Sequence, residues 1–152
     1  MSTDKPLPVS CHTVTPYLLV PHAGPFIDFV KAAFAATDRG EVIRRPDGSV
    51  LHAEVIVGDS VLMIGEPHPP WHPMPCTLYV YLPDVDVTFK RALAAGATSI
   101  SEPRDMFWGD RNACVKDVAG NFWFLATRKT ELTLPEIQKG ADQFYADKAK
   151  RK

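Results

Sequence analysis

At 152 residues, with 45% hydrophobic and 23% charged side chains, the chain has the balance of an ordinary folded domain with material for a core, which excludes disorder. The formal net charge is −1 and the only basic cluster is the tail Lys148–Lys152, which argues against nucleic acid as a partner. No stretch is long and apolar enough to span a membrane, and the polar opening MSTDKPLPVS has no apolar signal core, so a cytoplasmic protein is expected.

The run Thr13–Val20 (TVTPYLLV) is rich in β-formers, with Pro16 marking an edge strand or a bulge. Gly24 and Pro25 then open a segment in which Phe26, Phe29, Val30, Ala33 and Phe34 recur at helical spacing. EVIRR and SVLHAEVIV flank the turn Pro46-Asp47-Gly48 as a hairpin, and VLMIG follows Gly58-Asp59 as a further strand. The order is β-α-β-β-β, over residues of about 12–66. Residues 67–75 (PHPPWHPMP) hold too many prolines for regular structure and read as a linker.

TLYVYL at Thr77–Leu82 then starts a second unit, about 76–129. The helix in DVTFKRALAAGA buries Val85, Phe89, Ala92 and Leu93 and stops at Gly96. Strands are expected near 98–101, 112–116 and 122–127, which gives β-α-β-β-β again. Thr133 and Glu136 have capping-box spacing and begin a C-terminal helix over about 133–147, resting on the domain or on a partner. Thr15, Tyr17 and Pro21 align with Thr77, Tyr79 and Pro83, and the same offset of 62 positions places Gly58 on Gly120. An offset kept at both ends of a unit indicates a tandem repeat. Cys11, Cys76 and Cys114 lack CxxC spacing and read as reduced thiols.

A tandem βαβββ repeat with a Gly-Asn turn before its last strand resembles the vicinal oxygen chelate superfamily of glyoxalases, bleomycin-resistance proteins and extradiol dioxygenases. The matching pieces are TPYLLV with its helix, DGSVLHAEVIVGDSVLMIGE, TLYVYLPDVDVTFKRALAAGA and MFWGDRNACVKDVAGNFWFLATRKTELTLPE. HAEV with GDS, and FWGDR with GN.W, look most like a glyoxalase-like branch that includes demethylubiquinone-methyltransferase-like proteins. The resemblance implies an α+β fold of two tandem βαβββ modules, their curved mixed sheet wrapped around a central cavity, with a C-terminal helix added. It also implies a homodimer, with modules exchanged between chains in some relatives. Metal-using relatives take ligands from the first and last strands of each module. Those positions fall here on Thr15, Leu62 or Met63, Thr77 and Phe124. Hard divalent cations need imidazole or carboxylate donors, so no family-type metal and no cofactor are expected.

Strand alternation separates an aliphatic set, which belongs under the helices, from a polar and aromatic set facing the cavity. The second set comprises Thr15, Tyr17, His52, Glu54, Thr77, Tyr79, Tyr81 and Phe124, with Cys114 brought beside Phe124 across the Asp117–Asn121 turn. The aromatic-rich loop before that hairpin adds Phe107, Trp108 and Arg111 as one wall, where rings give contact area and polar groups fix orientation. Trp108 equally suits a plug at the barrel end, and Asp110 and Arg111 a local ion pair. His68 and His72 lie in the Pro-rich loop, where Trp71 joins them as part of a lid. Cys114 has no activating base in sequence.

The reading these features favour is a binding protein for a small aromatic or amphipathic molecule, without metal or reaction. An alternative is an enzyme, of lyase, isomerase or dioxygenase type, using His52 and Glu54 for proton transfer with or without a divalent metal. A third is a dimeric module whose cavity is filled by its own side chains.

Overall fold

The computed structural model describes Pro8 and residues 11–151. The first module runs β1 (Tyr17–Leu19), α1 (Ala23–Phe34), β2 (Thr37–Asp38), β3 (Ile43–Arg44), β4 (Val50–Val57) and β5 (Ser60–Gly65). The strands lie in the order β1-β5-β4-β2, with β1 parallel to β5 and β3 paired to the start of β4. Ile43 faces His52 while Arg44 faces Val50, so Leu51 is an extra residue that bulges out of the ladder. The expected EVIRR strand is thus reduced to two residues, and β2 is a short strand that the residue pattern did not announce. Gly40, at φ 77°, turns the chain between them.

Helix α1 forms for the reason its pattern suggests. Phe26, Val30 and Ala33 are fully buried and Phe29 nearly so. Its cap is not local: His22 makes no side-chain cap, and Glu66 at the end of β5 accepts from the Ala23 N–H at 2.9 Å. The other carboxylate oxygen of Glu66 accepts from the Val50 N–H at 3.2 Å, fixing helix, bulge and strand end together.

The second module repeats the plan with β6 (Thr77–Tyr81), α2 (Val85–Ala94), β7 (Thr98–Asp105), β8 (Asp110–Lys116) and β9 (Phe122–Arg128), in the order β6-β9-β8-β7. Asp84 caps α2 through the Val87 N–H at 3.0 Å. Leu93, expected in the buried stripe, is 37% exposed, and Thr88 is buried instead. The Gly-Asn turn is held by buried Asp117, which accepts from the Ala119 and Asn121 N–H groups, Asn121 Nδ2 and Trp123 Nε1. Asn121 in turn accepts from the Cys76 N–H at 3.0 Å, joining the turn to the end of the linker.

Among the described residues the two sheets share no hydrogen-bonded ladder. The modules meet through α1 against α2 and through Phe34, whose ring lies 4.6 Å from that of Trp123. Leu18, Ala53, Val55 and Ile64 from one sheet, and Ala113, Val115, Trp123 and Leu125 from the other, enter one continuous core. Each sheet therefore turns its opposite face away from that core. Helix α3 (Leu134–Ala149) starts with a complete Thr133–Glu136 capping box, buries no residue, and meets the domain through Phe144 and Gly140 against Phe107.

Candidate functional site

The outer face of the first sheet carries Tyr17, Leu19, His52, Glu54 and Met63. His52 Nε2 lies 3.0 Å from Glu54 Oε1, and Arg39 Nη1 donates to Glu54 Oε2 at 2.5 Å. The His52 hydrogen bond, with the Arg39 guanidinium behind it, holds the Glu54 carboxyl below its ordinary value. The Tyr17 and His52 rings are 6.1 Å apart. Tyr17 leans over Gly65, where a Cβ would stand 2.5 Å from the phenol oxygen. Beyond Tyr17 opens a mainly apolar hollow of about 460 Å³, lined also by Leu19, Arg45, Leu51, Glu66, His68 and Trp71. Trp71 reaches it from the linker, where its N–H donates to the His68 carbonyl at 2.7 Å.

The outer face of the second sheet is built around Asp110, which is 1% exposed. Its Oδ2 accepts from Tyr79 at 2.6 Å and from Tyr81 at 3.3 Å, and its Oδ1 lies 2.7 Å from Arg128 Nε. Trp108 Nε1 donates to the Tyr79 hydroxyl at 3.2 Å, and Tyr79 stacks on Phe124 with centroids 6.0 Å apart. Burial, reinforced by the Asp110 hydrogen bond, pushes the Tyr79 phenol up to about 12, so it stays a neutral donor. Cys114 is directly opposite Phe124, as the turn requires, and burial pushes its thiol up, away from nucleophilic use.

Several expected wall residues stand elsewhere. Thr15 precedes β1 and donates to the His12 carbonyl at 2.7 Å, because the strand begins only after Pro16. Arg111 points to the helix side of its sheet and is held by Asp86 at 2.7 Å and Asp105 at 3.2 Å. The local Asp110–Arg111 pair does not form, since neighbours on a strand face opposite ways and Asp110 takes Arg128. Phe107 turns to Phe144 of α3, at 5.5 Å, while Trp108 goes to Tyr79. Thr77 is exposed at the start of β6. Arg39, Arg45 and Arg128 were not singled out from sequence. Asp110 had a usable signal, since it shares strand parity with Cys114; Arg39, beside an unpredicted strand, had none.

Of the residues at the family's ligand positions, Met63 and Phe124 face outward, opposite Tyr17 and Tyr79 in their ladders, while Thr15 and Thr77 carry only hydroxyl groups. Leu62 faces the core and is 5% exposed. Thioether, phenyl and neutral phenol groups are poor donors for a hard divalent cation. Among the described residues no three His, Cys, Asp or Glu side chains gather as a metal-binding group. A second hollow of about 620 Å³ runs along the free edge of β6, floored by Phe34, Leu62, Leu78, Val80 and Trp123. It lies at the seam between modules, and Tyr79, Tyr81, Asp59 and Ser60 also line it.

The model of the Glyoxalase/Bleomycin resistance protein/Dioxygenase superfamily matches residues 12–125. An uncharacterized protein of Mycobacterium bovis is 34% identical over 136 residues, spanning 82% of this chain and 89% of its own. Among solved structures, TioX from Micromonospora is similar at TM-score 0.60 and 23% identity, over 76% of this chain and 98% of its own. TnmS3, an antibiotic-binding protein from Streptomyces, is similar at TM-score 0.63 and 21% identity, over 78% and 96%. The fosfomycin resistance protein FosX from Listeria monocytogenes is similar at TM-score 0.60 and 15% identity, over 83% and 97%. At these identities the structures report a shared fold.

Proposed function

The chain belongs to the Glyoxalase/Bleomycin resistance protein/Dioxygenase superfamily, and from that premise we propose that it is a small-molecule-binding protein that sequesters an aromatic or amphipathic compound. The observation that carries this reading is the hollow of about 460 Å³ with Tyr17 and Trp71 in its wall, a size and lining suited to a compact organic ligand. The antibiotic-binding and fosfomycin-resistance relatives of the same fold lend support by analogy only. The working unit is a homodimer. Tyr79 and Tyr81 are 44% and 58% exposed, an aromatic surface that a second copy would cover.

The experiment is a thermal-shift screen across a broad library of aromatic and amphipathic compounds, with sedimentation velocity run alongside. Concentration-dependent stabilisation by a chemically related set supports binding. The absence of any stabilising compound would sink it in favour of a module filled by its own side chains.

A second reading has a specific observation behind it. His52, Glu54 and Arg39 form a connected line in which a carboxylate kept ionised orients an imidazole, an arrangement suited to proton transfer. His52→Ala separates the readings: a binder keeps most of its affinity, whereas an acid/base enzyme loses most of its turnover.

A further inference from the structure

We propose that the hollow beside Tyr17 selects planar aromatic carboxylic acids, with Arg45 as the group that recognises the acid. The inference rests on the small-molecule reading and specifies the ligand class.

The argument begins with how the half-buried arginines are neutralised. Arg39 faces Glu54, and Arg111 faces Asp86 and Asp105. Arg45 is also half-buried, yet it has no carboxylate within ion-pairing distance among the described residues. Its partners are neutral: Nη1 donates to Ser49 Oγ and the Val50 carbonyl, and Nη2 to the Glu66 carbonyl, each at 3.2 Å. A guanidinium has five N–H donors, so two remain for a ligand. The only carboxylate in the wall, that of Glu66, is committed elsewhere. Its two oxygens accept from the Ala23 and Val50 N–H groups, and the first of these is the positive end of α1. The rest of the wall is the imidazole of His68, whose Nδ1 lies 2.9 Å from the Pro69 carbonyl, and the side chains of Tyr17, Leu19, Leu51 and Trp71.

A cation whose hydrogen-bond partners are all neutral, with the exposed Asp47 carboxylate nearby but outside the wall, favours an anion in an apolar hollow, because its field is weakly screened once water is displaced. Carboxylate is the matching group for a planar guanidinium fork. Tyr17 and Trp71 supply flat faces for the ring. About 460 Å³ suits a one- or two-ring compound. The three bonds Arg45 already makes, to the bulge and to the strand end, hold the guanidinium in place before any ligand arrives.

The test compares 2-naphthoate with 2-naphthamide, which share a ring system and differ in charge, by fluorescence titration at pH 7.5. For the unmodified protein the acid should bind at least about 10-fold tighter, the usual worth of a charge-assisted hydrogen bond. Arg45→Gln should bring the acid down to about the level of the amide, whose own affinity falls by a much smaller factor, while Arg45→Lys retains part of the preference. Trp71→Ala, on the exposed linker, should weaken both probes by a similar factor and leave their ratio intact; it also serves if Arg45→Gln fails to fold. Equal binding of acid and amide overturns the inference while small-molecule binding stands. So does an acid preference that survives Arg45→Gln, or a Trp71→Ala protein that binds both probes as before. Binding of neither probe below about 1 mM overturns it too, and the library screen then decides separately whether the chain binds small molecules at all.

Discussion

Tyr79 donates its phenol hydrogen to the buried carboxylate of Asp110 across 2.6 Å. That bond organises the second module's outer face, because Tyr81 shares the same oxygen and Arg128 the other. Asp110→Ala would leave two hydroxyls without their acceptor and take the buried carboxylate away from Arg128, which keeps Tyr81 and Glu131. The expected cost is about 2–3 kcal/mol of folding stability, measured by urea denaturation, with Asp110→Asn costing less because an acceptor oxygen remains. A loss below about 0.5 kcal/mol for the alanine variant would show that the network is not a structural centre.

The same bond has an alkaline signature. The Tyr79 phenol titrates near 12 in the folded chain, above its ordinary value of 10. A raised folded pKa gives stability that is complete below the unfolded value and is lost as pH rises from 10 through 12. The loss is small, since Tyr79 is 44% exposed and screened. Ultraviolet titration of the phenolates should show one tyrosine ionising late, and that one should move earlier in Asp110→Asn.

How far this site was legible follows from the kind of signal each residue gives. Strand parity placed Tyr17, His52, Glu54, Tyr79 and Phe124 on outer faces, because alternation depends only on local pleat. It also put Cys114 beside Phe124, because a turn fixes register. It does not hold for Thr15, where Pro16 delays the strand, and the loop composition that suggests Arg111 as a wall residue says nothing of its partners Asp86 and Asp105. Glu66 capping α1 and Arg128 reaching Asp110 span 43 and 18 positions of sequence respectively, and no local pattern encodes such pairs. The shared core between α1 and α2 is of the same kind. Amphipathic stripes say that a helix is covered on one side, and the topology decides by what.

Glu54 predicts the behaviour in acid. Its carboxyl is held below the ordinary value, first by His52 and then by Arg39. A depressed folded pKa gives stability that is present above the unfolded value and disappears as pH falls through the folded one. The melting temperature should therefore fall as pH drops below the ordinary carboxylate range. Glu54→Gln should cost about 1–2 kcal/mol at pH 7, and the gap to the unmodified protein should close over that acid range. A gap that stays constant with pH would remove the charge from the explanation.

Gly65 is a separate test of the hollow. A methyl group there meets the Tyr17 hydroxyl at 2.5 Å and the Leu51 carbonyl at 3.1 Å. The phenol is the free end of a side chain and can swing aside, whereas the carbonyl cannot, so Gly65→Ala should cost about 1–2 kcal/mol. Because Tyr17 must leave its place, affinity for any ligand of the hollow should drop at least about fivefold in protein that remains folded. Unchanged affinity would mean that the Tyr17 ring is no part of the binding wall.

Helix α3 makes the opposite prediction. It spans 16 residues and none is buried, so little of the domain's stability resides in it. Its start is secured by its own capping box, in which Thr133 Oγ1 accepts from the Glu136 N–H and Glu136 Oε2 accepts from the Thr133 N–H. Its hold on the domain is the Phe107–Phe144 ring contact and the close approach of Gly140, where a Cβ would come within 2.8 Å of Phe107 Cβ. Gly140→Leu should push the helix from Phe107 while the capped helix persists, so far-ultraviolet circular dichroism should change little. Deleting residues from 131 onward should lower the denaturation midpoint by less than about 1 kcal/mol equivalent, because only partly exposed aromatic contacts are lost. A larger loss, appearing together with a shift toward monomer in sedimentation velocity, would place α3 in the interface between copies instead of at the free surface of one chain.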